Sequence, residues 1–256
     1  MNTGLLHSRR LCGMTGIEEM TDHGLNGDLE QLQSELMVMG GLVEAMLIES
    51  VDLLRRCDLD GLEQLGEAER QIREKRLAIE MGCLNLIASR RPKAEYLRKA
   101  VSMVEIASDL ERIGEHAKKV ARANSLTLEH HYRKPFMGIQ RMAVAVQSML
   151  SQALMGLDNG DSQAVERVFQ DLPQTEDLYQ RTYQDLLYAM DIRPRSANQA
   201  IFLSRAAYDL RRASERVAGI CEWVMFTLAG TMEETQRHHH ELAVRDDLPQ
   251  RDSVTV

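Results

Sequence analysis

The 256-residue chain is 44% hydrophobic and 27% charged with a net charge of −8, a globular composition with enough apolar material for the core of one or two domains. An acidic balance without a basic stripe argues against a nucleic-acid-binding face, and no apolar run approaches the roughly 18 residues that span a bilayer. Aromatics make up 4% against 15 Met, and there are only 5 Pro, a composition that suits long packed helices better than sheets.

Residues 1–27 show no hydrophobic period and read as a disordered N-terminal segment, with Met14 and Met20 as alternative start candidates. MNTGLLHSRRLCGMTG has two arginines but no sustained apolar core behind them, so no signal peptide is read and the cytoplasm is the expected location. From Asp28 onward the helical period is persistent. Leu32, Leu36, Met39, Val43, Met46 and Leu54 line the first stripe, interrupted only by Gly40-Gly41, which either bends the helix or lets a neighbour come close. Asp58 to Gly61 breaks the stripe. Leu65, Ile72, Ile79 and Leu86 then recur every seventh residue, and Arg91-Pro92 punctuates the second break. Met103, Ile106, Leu110, Ile113, Ala117 and Val120 form the third stripe.

The same order follows again. Pro135 opens a fourth helix carrying Phe136, Ile139, Val146, Met149 and Ala153, and Asp158-Asn159-Gly160-Asp161 has the chemistry of a turn. A fifth helix is expected over about Gln163–Met190, kinked or started late by Pro173. The sixth carries Leu203, Ala207, Leu210, Val217, Cys221, Val224 and Leu228 and ends at Gly230. The third and sixth stripes align at an offset of 100 residues: Met103 with Leu203, Ala107 with Ala207, Asp109 with Asp209, Leu110 with Leu210, Arg112 with Arg212, Gly114 with Ser214 and Glu115 with Glu215. Identity at charged as well as apolar positions implies a duplicated unit. The fold class is all-α, two tandem antiparallel three-helix bundles over 28–128 and 134–231, with a polar C-terminal tail at 232–256. The spacings of Cys12, Cys57, Cys83 and Cys221 match no zinc or CxxC redox motif, and the last three read as small core residues.

Asp109-Leu110-Glu111-Arg112-Ile113-Gly114-Glu115-His116-Ala117 resembles the signature of the PhoU family, roughly (D/N)LERIGDHA. Arg91-Pro92-Lys93-Ala94-Glu95-Tyr96-Leu97-Arg98 is similar to that family's entry into the signature helix. Asp209-Leu210-Arg211-Arg212-Ala213-Ser214-Glu215-Arg216 resembles a degraded second copy, followed by a family-like Ile220-Cys221-Glu222-Trp223-Val224. The resemblance covers about residues 28–231. It implies two three-helix bundles and a cytoplasmic negative regulator of the phosphate-starvation response. Such a regulator couples a phosphate ABC transporter to a sensor histidine kinase and sits at the inner membrane through these partners, with a homodimer as an open question.

The resemblance also implies a divalent metal or iron at an (E/D)xxxD motif in each half. Carboxylates four apart project from one helix face and can share a cation through oxygen. Here the motif reads Glu111-xxx-Glu115, with Glu where the family favours Asp, and Arg211-xxx-Glu215 in the second half, so the second site is expected to be weakened or lost. The candidate metal residues are Glu111, Glu115, Asp109 and Glu215, and the candidate partner contacts are Arg112, Arg212 and His116. Glu105 and Asp109, in register with Arg112 and His116, also fit an intrahelical ion-pair ladder. His130-His131 fall in the linker between the halves, near Arg133-Lys134; the His238–His240 run could hold a metal in vitro but, in a polar tail, reads as solvated.

An enzyme of the di-iron carboxylate class would need Glu-x-x-His on two helices, and the chain contains none. It has no Gly-rich phosphate loop either, so catalysis is not expected. The alternative kept beside the regulator is an accessory protein of another phosphate permease, without kinase signalling.

Overall fold

The computed structural model describes residues 5–56, 59–123, 132–192, 194 and 197–230, with side chains from residue 24 on, Leu59 excepted. Six helices are present among them and no strand: α1 (Leu5–Arg56), α2 (Leu59–Arg90), α3 (Ala94–Arg122), α4 (Arg133–Asn159), α5 (Ser162–Ile192) and α6 (Ala197–Ala229). The tail at 232–256, His130-His131 and Cys57 lie outside the described residues.

Helices α1, α2 and α3 pack on one another, as do α4, α5 and α6, and the two bundles meet where α3 lies against α6 and α1 against α4. The all-α, two-bundle architecture read from the periodicity is the one observed. The offset of 100 residues extends beyond α3 and α6 to every helix pair. Leu36 and Phe136, Met39 and Ile139, Val43 and Ala143, and Met46 and Val146 are all buried on α1 and α4. On α2 and α5 the corresponding buried pairs are Leu65 and Val165, Ile72 and Leu172, and Leu86 and Leu186. Each buried aliphatic side chain contributes about 1.5–3 kcal/mol to the helix contact it fills. Cys83 and Cys221 are buried free thiols, the Cys83 thiol raised to about 11 and the Cys221 thiol further still, in both cases by desolvation.

Helix ends follow local chemistry. Gly160 closes α4 with φ +65°, and Asp161 caps α5, its Oδ1 accepting from the backbone N–H of Gln163 at 2.9 Å and of Ala164 at 3.2 Å. Gly230 ends α6 with φ +78°. With no glycine available after α2, Arg91 takes the left-handed conformation at φ +46° before Pro92. Pro173 does not delay α5, which starts at Ser162 and runs through it.

One boundary differs from the sequence reading. The helical backbone of α1 begins at Leu5, not after Asn26-Gly27-Asp28, and Leu25 is buried within the segment read as disordered. The apolar steps from Leu25 through Leu29 to Leu36 continue the core stripe, and Arg90 from the end of α2 reaches Asp28 at 3.1 Å. Tertiary packing here overrides a turn-prone triplet.

Gly40 and Gly41 separate two roles that the sequence left joined. A Cβ on Gly40 would lie 2.4 Å from Leu154 Cδ1 on α4, whereas one on Gly41 would meet nothing within 4 Å. Gly40 is therefore the close approach of α1 to α4, and Gly41 only costs the helix. Gly41→Ala is expected to raise stability by about 1 kcal/mol through helix propensity. Gly40→Ala is expected to give no such gain, with Leu154→Ala in the same chain restoring room. Urea midpoints of the three variants check this, and an equal gain at both glycines would show that the bundles are not in contact there.

Candidate functional site

The signature helix α3 uses its two flanks differently. One flank faces α6 and forms the seam between the bundles. Asp109 Oδ1 lies 3.5 Å from Arg216 Nη1, and His116 Nδ1 donates to Asp209 Oδ1 at 2.9 Å. The two contacts are internal counterparts: Asp109 corresponds to Asp209 and His116 to Arg216, so each repeat offers an acid to the base seven residues on in the other. Antiparallel packing of duplicated helices about a local twofold produces this reciprocity. Gly219 lets the helices approach, since a Cβ there would stand 2.9 Å from Asp109 Oδ2. Burial holds the Asp109 carboxyl above its ordinary range, while Arg216 and Arg112 pull the other way.

The other flank faces α2. Glu111, 15% exposed, accepts from Arg73 Nε at 3.1 Å, and its second oxygen lies 2.5 Å from Arg76 Nε. The Arg76 Nε–H is not aimed at that oxygen, so this second contact is Coulombic rather than a hydrogen bond. Two turns further along α3, Lys118 pairs with Glu69, which lies one turn before Arg73 on α2. Glu111, Glu69 and Glu115 together raise the Arg73 pKa, the Glu111 hydrogen bond first.

The second repeat shows the reversed arrangement. Arg211 Nε donates to Glu176 Oε2 on α5 at 2.6 Å, and its guanidinium stands 5.3 Å from the Tyr179 ring centroid. Glu215 pairs with Arg212 on its own helix and lies 3.8 Å from Arg211.

The structure thus distributes the sequence-predicted residues over separate surroundings. Asp109 and His116 are in the seam between the bundles, where His116 is a helix-to-helix hydrogen-bonder. Glu111 is turned toward α2, and Arg212 and Glu215 neutralise each other. Arg112 is exposed. No group of three or more His, Cys, Asp or Glu side chains able to hold a metal ion is gathered among the described residues. The donor set at Glu111 fits a divalent cation poorly, because two guanidiniums already face its oxygens. Arg73, Arg76 and Glu176 were missed by local motif reading, since each acts across a helix pair. The internal alignment carries the signal: Arg76 maps onto Glu176 as Glu111 maps onto Arg211, so both members of one pair have changed sign.

A duplicated three-helix unit whose third helices meet antiparallel through reciprocal acid–base pairs defines a tandem-bundle protein. The PhoU domain model matches residues 36–123 and 139–224, one copy per bundle, and the chain belongs to the PhoU family. It is similar to the phosphate-specific transport system accessory protein PhoU homolog of Pseudomonas aeruginosa, 29% identical over 222 residues and covering 85% of this chain and 92% of that one. It is also similar to the phosphate-specific transport system accessory protein PhoU of Escherichia coli K12, 23% identical over 205 residues, covering 80% and 85%. The crystal structure of PhoU from Pseudomonas aeruginosa superposes with a TM-score of 0.75 at 29% identity, covering 80% of this chain and 99% of that one. A PhoU from Streptococcus pneumoniae, 22% identical with a TM-score of 0.72, covers 81% and 98% and shares the fold.

Proposed function

We propose that the protein is an accessory protein of phosphate transport. In the finer reading, it is a negative regulator that couples a phosphate ABC transporter to a sensor histidine kinase. The observation that carries this is the family match in both bundles, together with relatives of nearly equal length named for the phosphate-specific transport system. A binding mechanism suits such a molecule. Two bundles locked at one seam form a body with separate outer faces, and a partner that changes state would be sensed through differential affinity for those faces. None of the described helices is long and apolar enough to cross a membrane, so the membrane contact proposed here runs through partner proteins. Arg112, exposed near the centre of the local twofold, is the proposed partner contact of the signature.

The test is deletion of the gene with a phosphate-starvation reporter read at high phosphate, complemented by wild type or by Arg112→Ala. Constitutive reporter output in the deletion, restored by wild type and not by an equally abundant Arg112→Ala protein, is the expected result. Unchanged signalling with altered phosphate uptake would instead leave the accessory role without the kinase.

A further inference from the structure

We infer that the two bundles are each closed by a guanidinium–carboxylate lock, of opposite polarity in the two repeats, that stands in place of a shared metal ion. In the first bundle α3 supplies the acid, Glu111, and α2 supplies Arg73 and Arg76. In the second α6 supplies the base, Arg211, and α5 supplies the acid, Glu176. Arg76 and Glu176 hold corresponding positions, as do Glu111 and Arg211. Changing either residue alone would have faced like charges across the same helix pair. Changing both keeps the attraction and reverses its sense.

The geometry also opposes a cation. A divalent ion takes oxygens at about 2.0–2.6 Å and, if calcium or magnesium, six or more ligands. Glu111 offers its two oxygens to Arg73 and Arg76, and an ion seated there would meet their charge at close range. At the second position the helix itself presents the positive charge. Arg211 is 17% exposed, held by Glu176 and lying over Tyr179, so it is neither vacant nor able to swing out without losing both contacts. The inference is independent of which signalling partners the protein has.

Two experiments test it on the full-length, untagged chain. The first loads the protein with Fe²⁺, Mn²⁺ or Zn²⁺ in turn, removes excess ion by dialysis and measures metal per chain beside Glu111→Gln/Glu115→Gln. The expected result is no metal that depends on these two carboxylates, any bound ion being retained in the double variant. Stoichiometric metal in wild type that is lost in the double variant overturns the inference. The second compares Glu176→Arg, Arg211→Glu and their combination, which gives the second bundle the polarity of the first. Each single reversal is expected to lower Tm by several degrees, and the combination to recover most of that loss. A combination as unstable as the worse single variant overturns the lock.

Discussion

Leu110→Ala is expected to lower the free energy of unfolding by about 2–5 kcal/mol, the range for truncating a fully buried leucine. Leu110 is completely buried on α3, the helix that touches α1 and α2 in its own bundle and α6 in the other. Its counterpart Leu210 is equally buried on α6, and Leu210→Ala is expected to cost a similar amount. The informative part is the shape of the transition. The buried apolar residues of the two bundles form one continuous cluster. Loss of packing at Leu110 is therefore expected to move a single calorimetric transition by on the order of 10 °C, with the second bundle melting at the same temperature as the first. Two resolved transitions, only one of them displaced by Leu110→Ala, would show that the bundles fold as separate units and that the seam is a docking surface.

The architecture was largely legible because long helices buried on one side must repeat their apolar residues with the helical period. Leu36, Met39, Val43 and Met46 announce α1 in this way, and Met103 through Val120 announce α3. The duplication showed first in α3 and α6, where charged as well as apolar positions are identical between the repeats. In α1 and α4 the paired residues differ in kind while keeping their burial, as with Met39 and Ile139, so identity alone does not reveal them. The start of α1 was hidden by Asn26-Gly27-Asp28, a strong local turn signal that packing at Leu25 and Leu29 overrules. The site was less legible. Glu111-xxx-Glu115 on a helix says that two carboxylates share a face, not what faces them. Arg73 and Arg76 come from a helix whose register against α3 no local motif encodes. Asp109 and Glu111, two residues apart, point to different neighbours because a step of two turns the side chain by more than half a helical turn.

Asp109→Lys is expected to destabilise the protein by about 3 kcal/mol, the low end of what breaking a buried ion pair costs, because Arg216 remains partly in water. Asp109 is 14% exposed and faces Arg216, with Arg112 near enough to lower its pKa. A lysine there would set three positive charges together in the seam where Gly219 brings α6 closest. Asp109→Asn keeps the size and removes the desolvation that raises the Asp109 pKa, so its cost is expected to be under about 1 kcal/mol, in the range of an ordinary hydrogen-bond change. The reciprocal pair gives an internal comparison: Asp209→Lys would face His116 instead of Arg216. With an imidazole opposite in place of a guanidinium, its penalty is expected to be smaller than that of Asp109→Lys. The exchange Asp109→Lys/Arg216→Asp should recover most of the loss, since it restores opposite charges across the same seam. Urea unfolding of the four variants beside wild type measures each of these differences. If the exchange recovers nothing, the acid–base reciprocity of the seam is a by-product of duplication and not part of what joins the bundles.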